Sequence, residues 1–518
     1  MITLGPGRCP GPLSNFNIYN MNHFKGYKLI LYCFLLLIAA GCNDKWDEYT
    51  EVNPSLKVDL IQRIKAEPQL SKFSDLLSKS RYGTILASSL NFTVWAPTNE
   101  ALATLDPAIV ADSARLDAFV GNHITYSAYL TSVPNPFLKL RALNGKNVIF
   151  TNNSIDEITI TQANQYVSNG VLHIIGGMIQ PKQNIYEFLR TQTAATIQRD
   201  FIESFNEKQF SPDNAVLLGY DADGKPIYKP GTDTVISNSY LNFSKINRED
   251  SLFTYVILNN DAFLAEEVKL KPYFVTSTAD STILETRKSI ITDLIFSGLY
   301  LPENLPDSLT STAGVNFHLD PGAIVSSHRV SNGIVYIMNR IDYKVPNKLR
   351  PVVVEGESSR VLSAATISNF IATRRNPDGL TTYTQIRGDN FSAAKSWFRY
   401  TRKFHSTKYK VYWRAIRDFN LSPVTPTGTP TYFRQRIAFK KFDALDALPY
   451  KFVEAREVIS NPASTPRVFE PIYDEVYVGE YEFSRFVNEH VFVVSNDVNT
   501  VGLNSIVFDY IKLVPLVK

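Results

Sequence analysis

Side chains able to do chemistry are few in this chain, and they are scattered. Seven histidines occur in 518 residues, and His318, His328, His405 and His490 stand at none of the short spacings that gather metal ligands. Asp221-Ala222-Asp223-Gly224 begins like a calcium loop, but the further oxygen ligands and the terminal Glu are missing, so it reads as a β-turn in a hairpin. Asp474 and Glu475 are adjacent in a segment that reads as a strand, which would send their carboxylates to opposite faces. Two groups so placed cannot flank one glycosidic bond. The chain has no nucleophile elbow, zinc-protease helix, Walker loop or Gly-rich dinucleotide turn. The expectation is a protein that is not an enzyme, with no cofactor and no metal.

The thiol of Cys42 has a different use. A run of about 12 mostly apolar residues, Leu29 to Ala40, follows His23, Lys25 and Lys28 and ends in Ala39-Ala40-Gly41. It falls short of the roughly 20 residues that cross a bilayer, and its basic start and small-residue exit are those of a signal peptide. Followed by Cys42, it resembles a bacterial lipoprotein signal, which implies cleavage before Cys42 and lipidation of its thiol. Residues 1–41 are then leader and signal, with Met21 the expected start. Cys9 and Cys33 leave with it, so the mature chain has no disulfide and its stability must come from apolar cores. Asp44, Asp47 and Glu48 make 42–54 an acidic linker, similar to the export signal that sends Bacteroidetes lipoproteins to the outer face of the outer membrane.

About 477 residues remain from Cys42 onwards, enough for two to four domains. Hydrophobic content of 44% and charged content of 20% are those of an ordinary globular chain. A net charge of +3 without a long basic block argues against nucleic acid as a partner.

The elements that must position any site repeat. "NFTVWAPTNEAL" (91–102) aligns without gaps on "LFTYVILNNDAF" (252–263), and "VSNGVLHIIGG" (167–177) on "VSNGIVYIMNR" (330–340). Phe92 lies 75 positions before Val167, and Phe253 lies 77 before Val330. Each first block reads as a strand followed by a helix N-cap, Thr98 or Asn259, with Glu100 or Asp261 in the first turn. Each second block reads as an Asn-Gly turn, at Asn169-Gly170 and Asn332-Gly333, leading into a strand apolar on both faces and therefore buried. Leu116, Phe119, Val120, His123 and Ile124 recur at helical spacing, which puts His123 on a core-facing helix stripe.

These blocks, with "GNHITY" (121–126) between them, resemble the fasciclin-type domain. The resemblance covers 55–185, and a degenerate second copy covers 186–345 with an insertion at about 205–250. It implies two α/β domains whose motif residues Thr98, Asn99, His123, Asn169, Gly170 and His173 are structural, and a role in extracellular adhesion and glycan contact. The second copy departs from the pattern at Leu258, for Pro97, and at Tyr336, for His173. It has no clear histidine near Leu294–Ser297. Because Tyr cannot replace imidazole as a base or ligand, both histidines are expected to be structural.

From Pro351 the pattern changes to short β-runs separated by turn-rich pieces such as 374–380 and 422–430. "KYKVYWRA" (408–415) alternates Tyr409, Val411 and Trp413 against Lys410, Tyr412 and Arg414, and 505–516 reads as a closing strand. Residues 351–518 are expected to form an all-β sandwich of jelly-roll type. It is similar to galactose-binding-type carbohydrate-binding modules, which implies sugar stacking on exposed aromatics. The candidates are Trp397, Tyr400 and Tyr412; Trp413 is assigned to the core and Arg399 and Arg414 to solvent. The function expected is a surface lipoprotein that captures polysaccharide or matrix glycan beside an outer-membrane transporter, with adhesion or docking through the fasciclin domains as the alternative.

Overall fold

The computed structural model describes residues 57–132, 137–363, 369–389, 391, 393–418, 432–457, 469–498 and 504–518. Cys42, the acidic linker and the turn at 422–430 lie outside the described residues. Among the described residues no helix is long and apolar enough to cross a membrane, which says nothing of a β-barrel. The chain divides into two compact units at Gln180/Pro181, with Gly145–Asn147 counted in the second.

The first unit is built on strands β1 (Phe92–Pro97), β2 (Ile124–Tyr126), β3 (Leu138–Arg141), β4 (Asn147–Phe150), β5 (Ser154–Ile155), β6 (Ile158–Val167) and β7 (Gly170–Ile175). Their order in the sheet is β2-β1-β7-β6-β5-β4-β3. β1 and β7 are parallel neighbours and are buried at every residue, as their uninterrupted apolar runs require. Helices Leu60–Ala66, Ser71–Lys79, Tyr82–Leu86 and Ser113–Gly121 pack their apolar stripes on this sheet. The last of these ends earlier than its periodicity predicts. Asn122 closes it, and His123 and Ile124 lie beyond it, Ile124 already in β2. The core-facing placement of His123 survives because its ring nitrogen bonds the Phe119 carbonyl of the last turn, which Asn122 N–H also reaches.

The second unit opens with the same motif. Strands β8 (Asn206–Phe210), β9 (Leu217–Tyr220), β10 (Pro226–Tyr228) and β11 (Thr234–Asn238) form two nested antiparallel pairs, β9–β10 inside β8–β11, that expose Phe210, Leu218, Tyr220 and Ile236. Asp221 shapes the tip, its carboxylate accepting from the amides of Asp223 and Lys225, which makes the segment the hairpin turn expected of it. Then come β12 (Phe253–Leu258), β13 (Ile295–Ser297), the short pair β14 (Leu309–Thr310) and β15 (Asn316–Phe317), β16 (Ile324–Val330) and β17 (Gly333–Met338). The order β13-β12-β17-β16 repeats β2-β1-β7-β6, and the parallel register repeats residue for residue: Phe92 faces Gly170, and Phe253 faces Gly333.

The rest of the second unit is all-β. Its strands are β18 (Val352–Glu355), β19 (Val361–Leu362), β20 (Asn369–Arg375), β21 (Thr382–Gly388), β22 (Trp397–Phe404), β23 (Lys408–Arg414), β24 (Phe433–Phe439), β25 (Lys451–Val453), β26 (Ala455–Glu457), β27 (Phe469–Pro471), β28 (Val476–Glu482), β29 (Val487–Val494), β30 (Ile506–Phe508) and β31 (Tyr510–Pro515). Sheets β18-β31-β23-β28 and β19-β22-β29-β24-β25 turn their inward side chains into one core, which includes Tyr409, Trp413, Leu513, Phe398, Tyr400 and Val493. The closing segment is two strands and not one. β30 joins β21 while β31 lies between β18 and β23, with Asp509 at the break bonded to Arg414.

Candidate functional site

The fasciclin motif residues all hold backbone. Thr98 Oγ1 accepts from Ala101 N–H at 3.2 Å but is not the expected N-cap, because a single 3-10 turn begins there with Glu100 in the cap position, whereas Asn259 Oδ1 accepts from Ala262 N–H at 2.8 Å and caps an eleven-residue helix. The amide of Asn99 bonds Lys72 N–H and the Pro68 carbonyl; Asn260 does the same work on Ile197 N–H and Thr196 Oγ1. Asn169 accepts from Leu60 N–H and donates to the Leu86 carbonyl, and Asn332 accepts from Ile185 N–H and donates to the Ile246 carbonyl. Each copy thus satisfies a free donor at the start of its first helix with the Asn of its Asn-Gly pair. Gly170 has φ +148°, and a Cβ there would sit 1.9 Å from the Phe92 carbonyl oxygen.

Both histidines are sealed and satisfied. His123 Nδ1 donates to the Phe119 carbonyl at 2.9 Å, and Nε2 accepts from Ile179 N–H at 3.0 Å. Burial holds its pKa at about 4. His173 donates from Nε2 to the Tyr129 carbonyl at 3.0 Å, accepts from Asn164 N–H and stacks on Trp95; burial lowers its pKa too. In the second copy Tyr336 hydroxyl donates to the Tyr300 carbonyl at 2.7 Å, the bond that His173 makes to Tyr129. Leu294 takes the place of His123, its carbonyl accepting from Val256 N–H as that of His123 accepts from Trp95 N–H. Both nitrogens of each histidine ring are thus engaged with backbone groups.

The aromatic candidates separate. Tyr400 is 1% exposed, packs on Phe508 and donates to the Gly356 carbonyl, so the stacking role proposed for it is wrong. Along β22 the residues alternate, and Tyr400 shares the inward face with Phe398 and Phe404. Trp397 points outward but is half-buried, stacked with Phe442 and edge-on to Phe492. Tyr412 stands on the solvent face of β23, edge-on to Tyr477, with ring centroids 5.5 Å apart. Register places Tyr412 between Tyr477 on β28 and Lys512 on β31, so the three form a strip across the sheet.

Polar groups border this strip. Lys512 Nζ pairs with Glu475 at 3.0 Å, and Tyr510 hydroxyl donates to the same carboxylate at 2.7 Å. Partial burial pushes the Glu475 pKa up, but these two hydrogen bonds outweigh it and the net shift is downward. Lys451 donates to the Tyr477 carbonyl and lies 5.7 Å from its ring centroid. Arg414 is not solvated: it pairs with Asp509 at 2.6 Å and donates to the Tyr473 carbonyl. Asp474 and Glu475 lie in the loop before β28, not in a strand, and Glu475 is spent on Tyr510 and Lys512. Sequence reasoning missed Tyr477, although the alternation Val476-Tyr477-Val478 marks it as outward. Among the described residues no cluster of His, Cys, Asp and Glu could hold a metal ion.

Fold and site define a multidomain chain, α/β in its first part and β-sandwich in its last, with an aromatic strip on the sandwich surface. The Fasciclin domain model matches residues 68–181, so the chain carries a fasciclin domain there. A solved fasciclin (FAS1) domain pair from the insect cell adhesion molecule Fasciclin I is similar at 13% identity and a TM-score of 0.22, over 54% of this chain and 98% of that one. A family 35 carbohydrate-binding module from Clostridium thermocellum is similar at 13% identity and a TM-score of 0.19, over 32% of this chain and 99% of its own. The CBM36-1 domain of a multidomain xylanase from the hindgut metagenome of Trinervitermes trinervoides gives 12%, 0.19, 32% and 96% in the same order. No curated protein matches the chain.

Proposed function

We propose that this protein is a non-catalytic surface lipoprotein that binds glycan as an accessory to an outer-membrane glycan-uptake system. The observation that carries the reading is the Tyr412–Tyr477 pair, with Tyr477 44% exposed on the outer face of the sheet. A pyranose offers an apolar C–H face and a rim of hydroxyls. The two rings supply the apolar surface, and Lys512, Glu475 and Tyr510 supply donors and acceptors beside it. Lipid attachment at Cys42 and the acids after it supply the address. The fasciclin domain at 68–181 favours a second reading, adhesion or protein docking, in which the sandwich is a scaffold. A glycan-array screen of the mature chain decides between them. Tyr412→Ala and Tyr477→Ala are each expected to weaken any glycan bound by about tenfold, the loss of one stacked ring. Absence of binding by the unmodified chain would move the function to adhesion.

A further inference from the structure

A second site lies away from the aromatic strip, where the second fasciclin-like copy meets the sandwich. A cavity of about 500 Å³ opens there, a size within the range of small-ligand sites. Four cationic side chains line it: Lys288 from the helix Ala279–Thr292, Lys348 and Arg350 from the segment before β18, and Lys403 from the end of β22. Among the described residues two carboxylates share the lining, and Glu266 also acts on Lys348 from outside it. Asp293 pairs with the largely buried Lys348, which also donates to the Ser289 carbonyl. Glu285 is shared, 3.3 Å from Lys288 and 3.6 Å from Lys403. Arg350 donates to the carbonyls of Ala313 and Gly314 and acts on Asp293 through its charge. The lining therefore carries two more positive charges than negative ones, with one carboxylate split between two lysines.

We propose that this cavity takes one monosaccharide-sized unit of a ligand, free or within an oligomer, through an oxyanion: a carboxylate, sulfate or phosphate group. Lys288 and Lys403 come from different elements, are partly exposed and share Glu285, so an oxyanion binding beside them adds a second negative partner to the pair. Arg350 offers a planar, permanently charged group on the same cavity. Phe486, whose ring lies 4.1 Å from Lys403 Nζ, contributes an apolar wall that weakens solvent screening.

The test is calorimetric titration of the chain from residue 43 onwards with tri-galacturonate, inorganic sulfate, inorganic phosphate and a neutral galactose trimer. Saturable binding of at least one anion is expected, weakened tenfold or more in the double variant Lys288→Gln/Lys403→Gln and unchanged in Tyr412→Ala. Binding of galacturonate alone identifies an acidic sugar as the ligand, and binding of sulfate or phosphate identifies the free oxyanion. Either supports the site, and neither depends on the aromatic strip. No saturable anion binding, or equal affinity in the double variant with an unchanged melting temperature, would overturn it. Equal binding of the neutral trimer at this cavity would do the same.

Discussion

Buried imidazoles tie the strands of the first unit together through hydrogen bonds that only a neutral ring can make. Nε2 of His123 accepts from Ile179 N–H, so protonation would set one donor against another inside a core of Phe73 and Phe119. Its folded pKa of about 4 lies below the usual value of 6.5. The unfolded chain therefore takes up a proton first as pH falls. The stabilisation is complete above pH 6.5 and drains away down to pH 4, about 3 kcal/mol in all. His123→Gln keeps one donor and one acceptor but titrates nothing. Amide exchange of β7 should show the native chain losing protection between pH 7 and 4, while the variant, weaker by about 1 kcal/mol at pH 7, loses much less. Equal slopes for the two would show that the ring is not held neutral.

At the scale of elements, the close approach of two parallel strands governs each fasciclin-like copy. Gly170 and Gly333 each begin a strand with φ near +150°, and a Cβ on Gly333 would lie 1.8 Å from the Phe253 carbonyl oxygen. That oxygen belongs to a buried strand with a fixed register and cannot yield. Gly333→Ala should cost more than the roughly 1 kcal/mol by which Gly and Ala differ in ordinary backbone, and should give insoluble or partly unfolded protein. Ordinary expression with unchanged melting would show that the strands can separate. Much of this was legible in the sequence, because the Asn-Gly pairs recur at matched spacing and uninterrupted apolar runs mark strands buried on both faces. Tyr400 was misplaced although the alternation through Phe398 and Phe404 fixes its side. Helix periodicity ran on through His123 because a buried residue just past a helix end keeps the same phase. The cavity between copy and sandwich had no linear signal: its cations come from three segments that only folding brings together.

For the molecule as a whole, the boundary between the second copy and the sandwich is a packed interface between two cores, unlike a linker. Ser406 donates to the Pro272 carbonyl and accepts from Val275 N–H, and Tyr273 hydroxyl bonds the backbone of Lys518. Phe274, itself 4% exposed, meets the rings of His405 and Phe486 from the sandwich at 4.9 and 4.8 Å. Burial on this scale joins folding equilibria, because truncating a ring in one partner removes surface from both. Phe274→Ala should therefore cost about 3–5 kcal/mol, the range for emptying an aromatic site. The cost should fall on the copy and the sandwich together. Hydrogen exchange distinguishes them, with amides of β17 reporting the copy and amides of β23 the sandwich. Loss of protection in both strands by the same factor is the expected result, and the first unit should be untouched. If β17 weakens while β23 keeps its full protection, the sandwich folds independently, and a glycan-binding face and an anion cavity built on it would not be linked through a common folding unit.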